Sequence, residues 1–170
     1  MPLTVPNSRH HKPSNKKERY MTRGLLSLGM LLVTLLLATT SHARDTTLML
    51  SIEEAMNTSE ARERLDPNIR FFFADAPHGE VIAEHGNFVT NKKTNAFNKS
   101  DEEACRWVML SALISLQDRV KTEGGNAVIN IESYYKRQPM ASSSEYECHA
   151  GAIMAGVALR GDVVTLNGAE

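Results

Sequence analysis

Apolar residues along this chain change their spacing several times, and each change marks an element. Gly24 to Ala38, "GLLSLGMLLVTLLLA", is an uncharged run of 15 residues behind a basic start. Beyond it, Ser51 and Glu54 form a capping box ahead of Ala55 and Met56, and a second short helix is predicted from Thr58 to Leu65. "DPN" at Asp66 to Asn68 stops that helix. The period then drops to two. "IRFFFADA" sets Ile69, Phe71 and Phe73 against Arg70, Phe72 and Ala74, which predicts a strand rich in aromatic side chains. After a turn at Pro77 to Gly79, "EVIAEHGNFVT" predicts a second strand with a bulge near Gly86. "NKKTNAFNK", Asn91 to Lys99, reads as a polar loop.

The clearest signal follows. Ser100 and Glu103 form another capping box, with Asp101 and Glu102 near the positive end of the helix dipole. Cys105, Val108, Met109, Ala112, Leu113, Leu116 and Val120 then recur on one helical face, to about Glu123, and Gly124 supplies a left-handed stop. "NAVINIESYY" predicts a third strand with Ala127, Ile129 and Ile131 on one side. An exposed loop over 136–144 leads to a fourth strand that starts at Glu145 and extends toward Arg160. The expected fold is α+β: a four-stranded sheet with one long helix on one face, in the order β-β-α-β-β. The second and third strands, separated by the helix, are expected to lie parallel through a right-handed crossover. The predicted domain spans 68–170, and a short helical segment over 44–67 precedes it.

The first 43 residues combine six basic side chains, the 15-residue apolar run and small residues at Ser41 and Ala43. That is the order of a secretory signal peptide with cleavage near Ala43, and it predicts a periplasmic or secreted protein. An uncleaved anchor is the competing reading, disfavoured because a membrane-spanning helix needs about 20 apolar residues. Met21 would be the more typical start, since "MTRGLLSLG" opens a compact signal, although Met1 begins the chain. Of the 19 Lys and Arg and 20 Asp and Glu, six basic residues and one acidic residue lie before Arg44; the rest of the chain carries 13 and 19, a net charge of −6. Such a surface repels phosphate backbones, which argues against nucleic acid as a partner. No membrane span is expected after cleavage.

Cys148 and His149 stand side by side in "EYECHAGA". In a strand, neighbours point to opposite faces, so Tyr146, Cys148 and Ala150 are expected to meet the core, and Glu145, Glu147 and His149 to face away. A thiol and an imidazole that diverge do not make a nucleophile and its base. No CxxC or close His-His spacing supports a strong metal site, although Glu145, Glu147 and His149 form a candidate weak metal set on one strand face. Exposed carboxylates are ordinary, and a solvated face is the favoured reading. Cys105 and Cys148 are the only cysteines, and both fall on apolar faces. In an oxidising compartment this favours a Cys105–Cys148 disulfide over two separate buried thiols.

"GGNAV" at Gly124 to Val128 follows a helix and enters a strand, the reverse of a phosphate-binding loop, and GxxxxGK[ST], GxSxG, HExxH and GxGxxG are all missing. No cofactor is expected. Lys92, Lys93, Phe97 and Lys99 form a basic and aromatic cluster on an otherwise acidic protein, a candidate contact for an anionic partner such as lipid headgroups or cell-wall polymers.

"NKSDEEACRW", "GGNAVINIESYY" and "YECHAGAIMAGVAL" resemble a family of small exported bacterial proteins that commonly carry the label excinuclease, or excinuclease ATPase subunit. The residues contradict that label, since Walker motifs and zinc cysteines are absent. More distantly, the helix–glycine–strand segment is similar to the Rcs envelope-stress sensor lipoprotein, whose disulfide-bonded domain implies a bridge here too, and to YbjQ-type domains, which leave a homo-oligomer open. Together these readings point to a non-enzymatic periplasmic domain that binds an envelope partner or ligand through the loops 91–99 and 136–144. The competing classes are a metal-binding or small hydrolytic protein using Glu145, Glu147 and His149, and a purely structural envelope component.

Overall fold

The computed structural model describes residues 44–168. In chain order they form β1 (Thr46–Ser51), α1 (Ile52–Met56), α2 (Ser59–Arg64), β2 (Arg70–Phe73), β3 (Val81–Asn95), α3 (Asp101–Glu123), β4 (Ala127–Ser133), β5 (Glu145–Ala150) and β6 (Met154–Leu166), with a 3-10 turn at Tyr135–Arg137. The expected export signal, with its basic start, apolar run and cleavage position, lies outside the described residues.

The fold is mixed α and β, with α3 packed against a six-stranded sheet rather than a four-stranded one. β6 organises it. Ala155, Val157, Ala158, Leu159, Val163, Val164 and Leu166 are all buried, and a strand this apolar takes the centre of a sheet with partners on both sides. β3 runs antiparallel along one side of β6, from Val81 opposite Leu166 to Asn95 opposite Met154. The other side is divided between β5, which meets it at Ala155 and Gly156, and β4, which meets it from Leu159 to Val164. β1 closes the β5 edge antiparallel, and β2 closes the β4 edge parallel.

Three expectations change. Thr46–Ser51 is a strand, not part of a helical segment: Leu48 and Leu50 turn toward the core while Met49 faces out. The capping box at Ser51 is real, its Oγ accepting the Glu54 amide at 3.1 Å, but a cap marks the start of a helix and leaves the preceding residues extended. The expected fourth strand is a hairpin. Gly151 donates to the Met154 carbonyl at 2.8 Å, and a Cβ there would lie 3.0 Å from the Arg44 carbonyl oxygen, so a small residue is needed where the chain reverses. The parallel pair is β2 with β4 rather than β3 with β4, because β6 lies between β3 and β4 and pairs antiparallel with both.

The long helix follows the sequence closely. Ser100 Oγ accepts the Glu103 amide at 3.1 Å, and Gly124 at φ +79° closes the last turn onto the Val120 carbonyl. All seven residues of the predicted apolar face are buried, against Phe73, Val128, Ile131, Val157, Leu159 and Val163 among others. Each of the fully buried Val, Leu and Met side chains on this face is worth roughly 1.5–3 kcal/mol relative to exposure. Gln117, also buried, holds the end of α2 to α3: its Oε1 accepts the Asp66 amide at 2.6 Å and its Nε2 donates to the Arg64 carbonyl at 3.4 Å. The bulge predicted near Gly86 is present, with φ +119° and a register shift from Glu84 to Gly86.

Candidate functional site

Two places on the domain gather chemistry: the solvent side of β5, and the end of the sheet where β3 leaves for α3. On β5 the alternation is as the sequence predicts. Tyr146, Cys148 and Ala150 are buried, whereas Glu145, Glu147 and His149 are not. Cys148 closes a disulfide with Cys105 of α3, their Cα atoms 5.9 Å apart. The bridge ties the helix to the face of the sheet it covers.

His149 points the other way, into a small polar cluster. Its Nε2 lies 2.6 Å from Glu147 Oε1 and its Nδ1 lies 2.9 Å from Asp45 Oδ1. The Tyr135 ring stacks on the imidazole, 3.4 Å between centroids at an interplanar angle of 17°. Tyr135 Oη also donates to Asp45 at 3.3 Å, and Lys136 Nζ lies 3.9 Å from the same carboxylate and over the Tyr135 ring. The His149 side chain keeps only 11% of its exposure. The hydrogen bond from His149, before any other influence, holds the Asp45 carboxyl below its ordinary value of 3.8 against the cost of desolvation. Ionised carboxylates only accept, so both contacts of His149 are hydrogen bonds together only when both ring nitrogens carry hydrogen.

Of the expected weak metal set, Glu147 and His149 come together and Glu145 does not join them. Glu145 sits exposed at the start of β5, with its amide bound by Ser142 Oγ at 3.0 Å. Both nitrogens of His149 already face a carboxylate, so a metal ion would have to displace one. Among the described residues no group of three or more His, Cys, Asp and Glu side chains is arranged to hold a metal ion. Asp45, Tyr135 and Lys136 carry no sequence signal for this cluster, since a lead-in residue and a short 3-10 turn bring them there. His78 contacts the neighbouring Gly79 carbonyl, and His85 contacts Thr165 Oγ1 across the β3–β6 pair.

The basic and aromatic cluster is built differently from the expected loop. β3 continues to Asn95, so Lys92 and Lys93 are strand residues on opposite faces. Lys92 is half-buried opposite Val157 on the helix side, and Lys93 is exposed opposite Gly156. Phe97 and Lys99 alone lie on the connection to α3, where Lys99 Nζ donates to the Asn95 carbonyl at 3.1 Å. The β5–β6 turn lies alongside: the Ala96 amide donates to the Ile153 carbonyl at 2.9 Å. Phe97 and Ile153 are each 63% exposed, and Met154 is 46% exposed. Arg44 is at the same end, paired with Asp101 at the start of α3. The second expected contact loop, 136–144, is exposed at most of its positions, as expected, and its base is held by mutual backbone hydrogen bonds between Ser133 and Met140. It borders an open depression of about 580 Å³ with Asp75, Asn130 and Glu132.

Compared with family models, with curated proteins and with solved structures, the chain matches none.

Proposed function

We propose that this is an exported, periplasmic domain without catalytic activity, a member of the small exported bacterial family its motifs resemble, which binds a partner in the cell envelope. The binding surface is the tip formed by Phe97, Lys93 and Lys99 with Ile153 and Met154. One observation carries the reading. Among the described residues, Phe97, Ile153 and Met154 are exposed together where the β3–α3 connection meets the β5–β6 turn, beside lysines, whereas the other exposed large apolar side chains, Met49, Ile82, Val89 and Trp107, belong to β1, β3 and α3. Apolar side chains gathered at the surface and rimmed by polar ones mark a place of contact. The Cys105–Cys148 bridge is compatible with an oxidising compartment, and it braces α3 and β5, two of the four elements that adjoin the tip. Both ring nitrogens of His149 already face carboxylates, and no Ser, Thr or Cys hydrogen-bonds to them among the described residues, so neither hydrolysis nor metal binding gains support there.

Photo-crosslinking in cells tests this reading. A photoreactive residue at position 97 or 153 should give adducts with an envelope component, and one at the equally exposed Ile82 should not. Equal labelling at all three positions, or none at 97 and 153, contradicts it.

A further inference from the structure

The chemistry of the tip defines the kind of partner it meets. Asn91 to Ser100 carries three lysines and no acidic residue, and Gly151 to Met154 carries no charge, in a protein whose residues from Arg44 onward sum to −6. This stretch is therefore locally basic on an acidic protein, although ten of the 13 basic side chains from Arg44 onward lie outside it. The nearest acidic residues follow at the start of α3: Asp101 is paired with Arg44, Glu102 is exposed and borders a cleft with Leu50 and Arg106, and Glu103 lines another with Thr58 and Trp107. Lys93 and Lys99 sit beside exposed Phe97, Ile153 and Met154 on two adjacent chain reversals.

Resting on the reading that this tip is the binding surface, we propose that it docks on an anionic lipid bilayer. Phe97, Ile153 and Met154 enter the headgroup layer, and Lys93 and Lys99 meet lipid phosphates. An anionic cell-wall polymer would satisfy the lysines but gives the three apolar side chains nothing to enter. A bilayer interface takes both, because its affinity combines buried apolar area with attraction to negative headgroups.

The test places the only tryptophan at the tip. The chain contains a single Trp, at position 107, so Trp107→Phe with Phe97→Trp gives a reporter at the tip alone. The full-length protein recovered from cells is mixed with phosphatidylglycerol/phosphatidylethanolamine vesicles, or with phosphatidylcholine vesicles. The proposal predicts a blue shift and quenching by brominated acyl chains with the anionic vesicles only. Partitioning should weaken roughly fivefold for each of Lys93→Gln and Lys99→Gln, and should fall with added salt. Ile153→Ser should reduce the shift as well. These positions are exposed, and non-reducing mass analysis of each variant checks that the disulfide has formed. A reporter that does not move, or that moves equally with phosphatidylcholine, overturns the bilayer. If it fails while cross-links from position 97 to an envelope protein persist, the bilayer is wrong and the binding tip stands. If both are absent, both fall.

Discussion

Cys148 and His149 are neighbours in the chain that serve opposite sides of the sheet: the sulfur is joined to Cys105 of α3, and the imidazole is stacked on Tyr135 between two carboxylates. A pair that looks like a nucleophile and its base is thereby divided into a core fastening and a surface cluster. The alternation of β5 makes that division, since one residue cannot turn toward its neighbour without moving the whole strand out of register.

The fastening should be a large part of the domain's stability. The bridge closes residues 43 apart in sequence, and the chain-entropy argument gives roughly 4 kcal/mol for a loop of that size. Cys105→Ala with Cys148→Ala should therefore lower the free energy of unfolding by roughly 2–5 kcal/mol in urea titrations, and reductant should have no further effect on that variant.

Gly161 should tolerate no side chain. A Cβ there would lie 2.6 Å from Val128 Cγ1 and 3.1 Å from Ile131 Cγ1, where β4 bulges against β6. Gly161→Ala should cost about 1–3 kcal/mol by overpacking. At Gly156 the nearest atom to a built Cβ is 3.5 Å away, so Gly156→Ala should change the urea midpoint much less.

Tyr146 is 1% exposed, and its hydroxyl has no hydrogen-bond partner among the described residues. Burial pushes the phenol far above its ordinary value, so it stays neutral. The ring packs in the core while the hydroxyl adds only desolvation. Tyr146→Phe should leave stability unchanged or raise it by up to about 1 kcal/mol, whereas Tyr146→Ala should cost several.

Asp45 should make acid stability depend on the His149 cluster. Its folded carboxyl titrates below its ordinary 3.8, so its contribution is fully present above that value and is lost as pH falls through the folded one. The side chain is 47% exposed, so the effect is modest. Asp45→Asn should lower the unfolding midpoint at neutral pH, and the gap to the unchanged protein should close in strong acid. A gap that is constant with pH would mean that the carboxylate charge plays no part.

The sequence disclosed most where one pattern dominated. The seven-residue face of α3, its Ser100 cap and its Gly124 stop are all where spacing and capping place them. The two faces of β5 follow from the same kind of reasoning, and the partner of Cys148 from its apolar surroundings and the expected compartment. What failed was long-range or weakly marked. β1 is short and abuts a capping box, so its Leu48 and Leu50 alternation was absorbed into a helix. The β5–β6 reversal uses Gly151 among alanines, without a strong turn dipeptide. Lys92 and Lys93 looked like loop because polar residues dominate there, yet 15 residues of β3 are held in line by pairing with an apolar β6. Asp45 reaches His149 across 104 residues of sequence, a proximity that only the β1–β5 pairing creates.

The most direct test of an exported, disulfide-fastened domain is the intact mass of the protein recovered from the periplasm, alkylated with and without prior reduction. The account predicts a chain beginning near Arg44, lighter by the two hydrogens of a closed Cys105–Cys148 bridge and unreactive to alkylation until reduced. A chain that retains its first 43 residues and stays in the cytoplasm, or two thiols that alkylate freely, would contradict it.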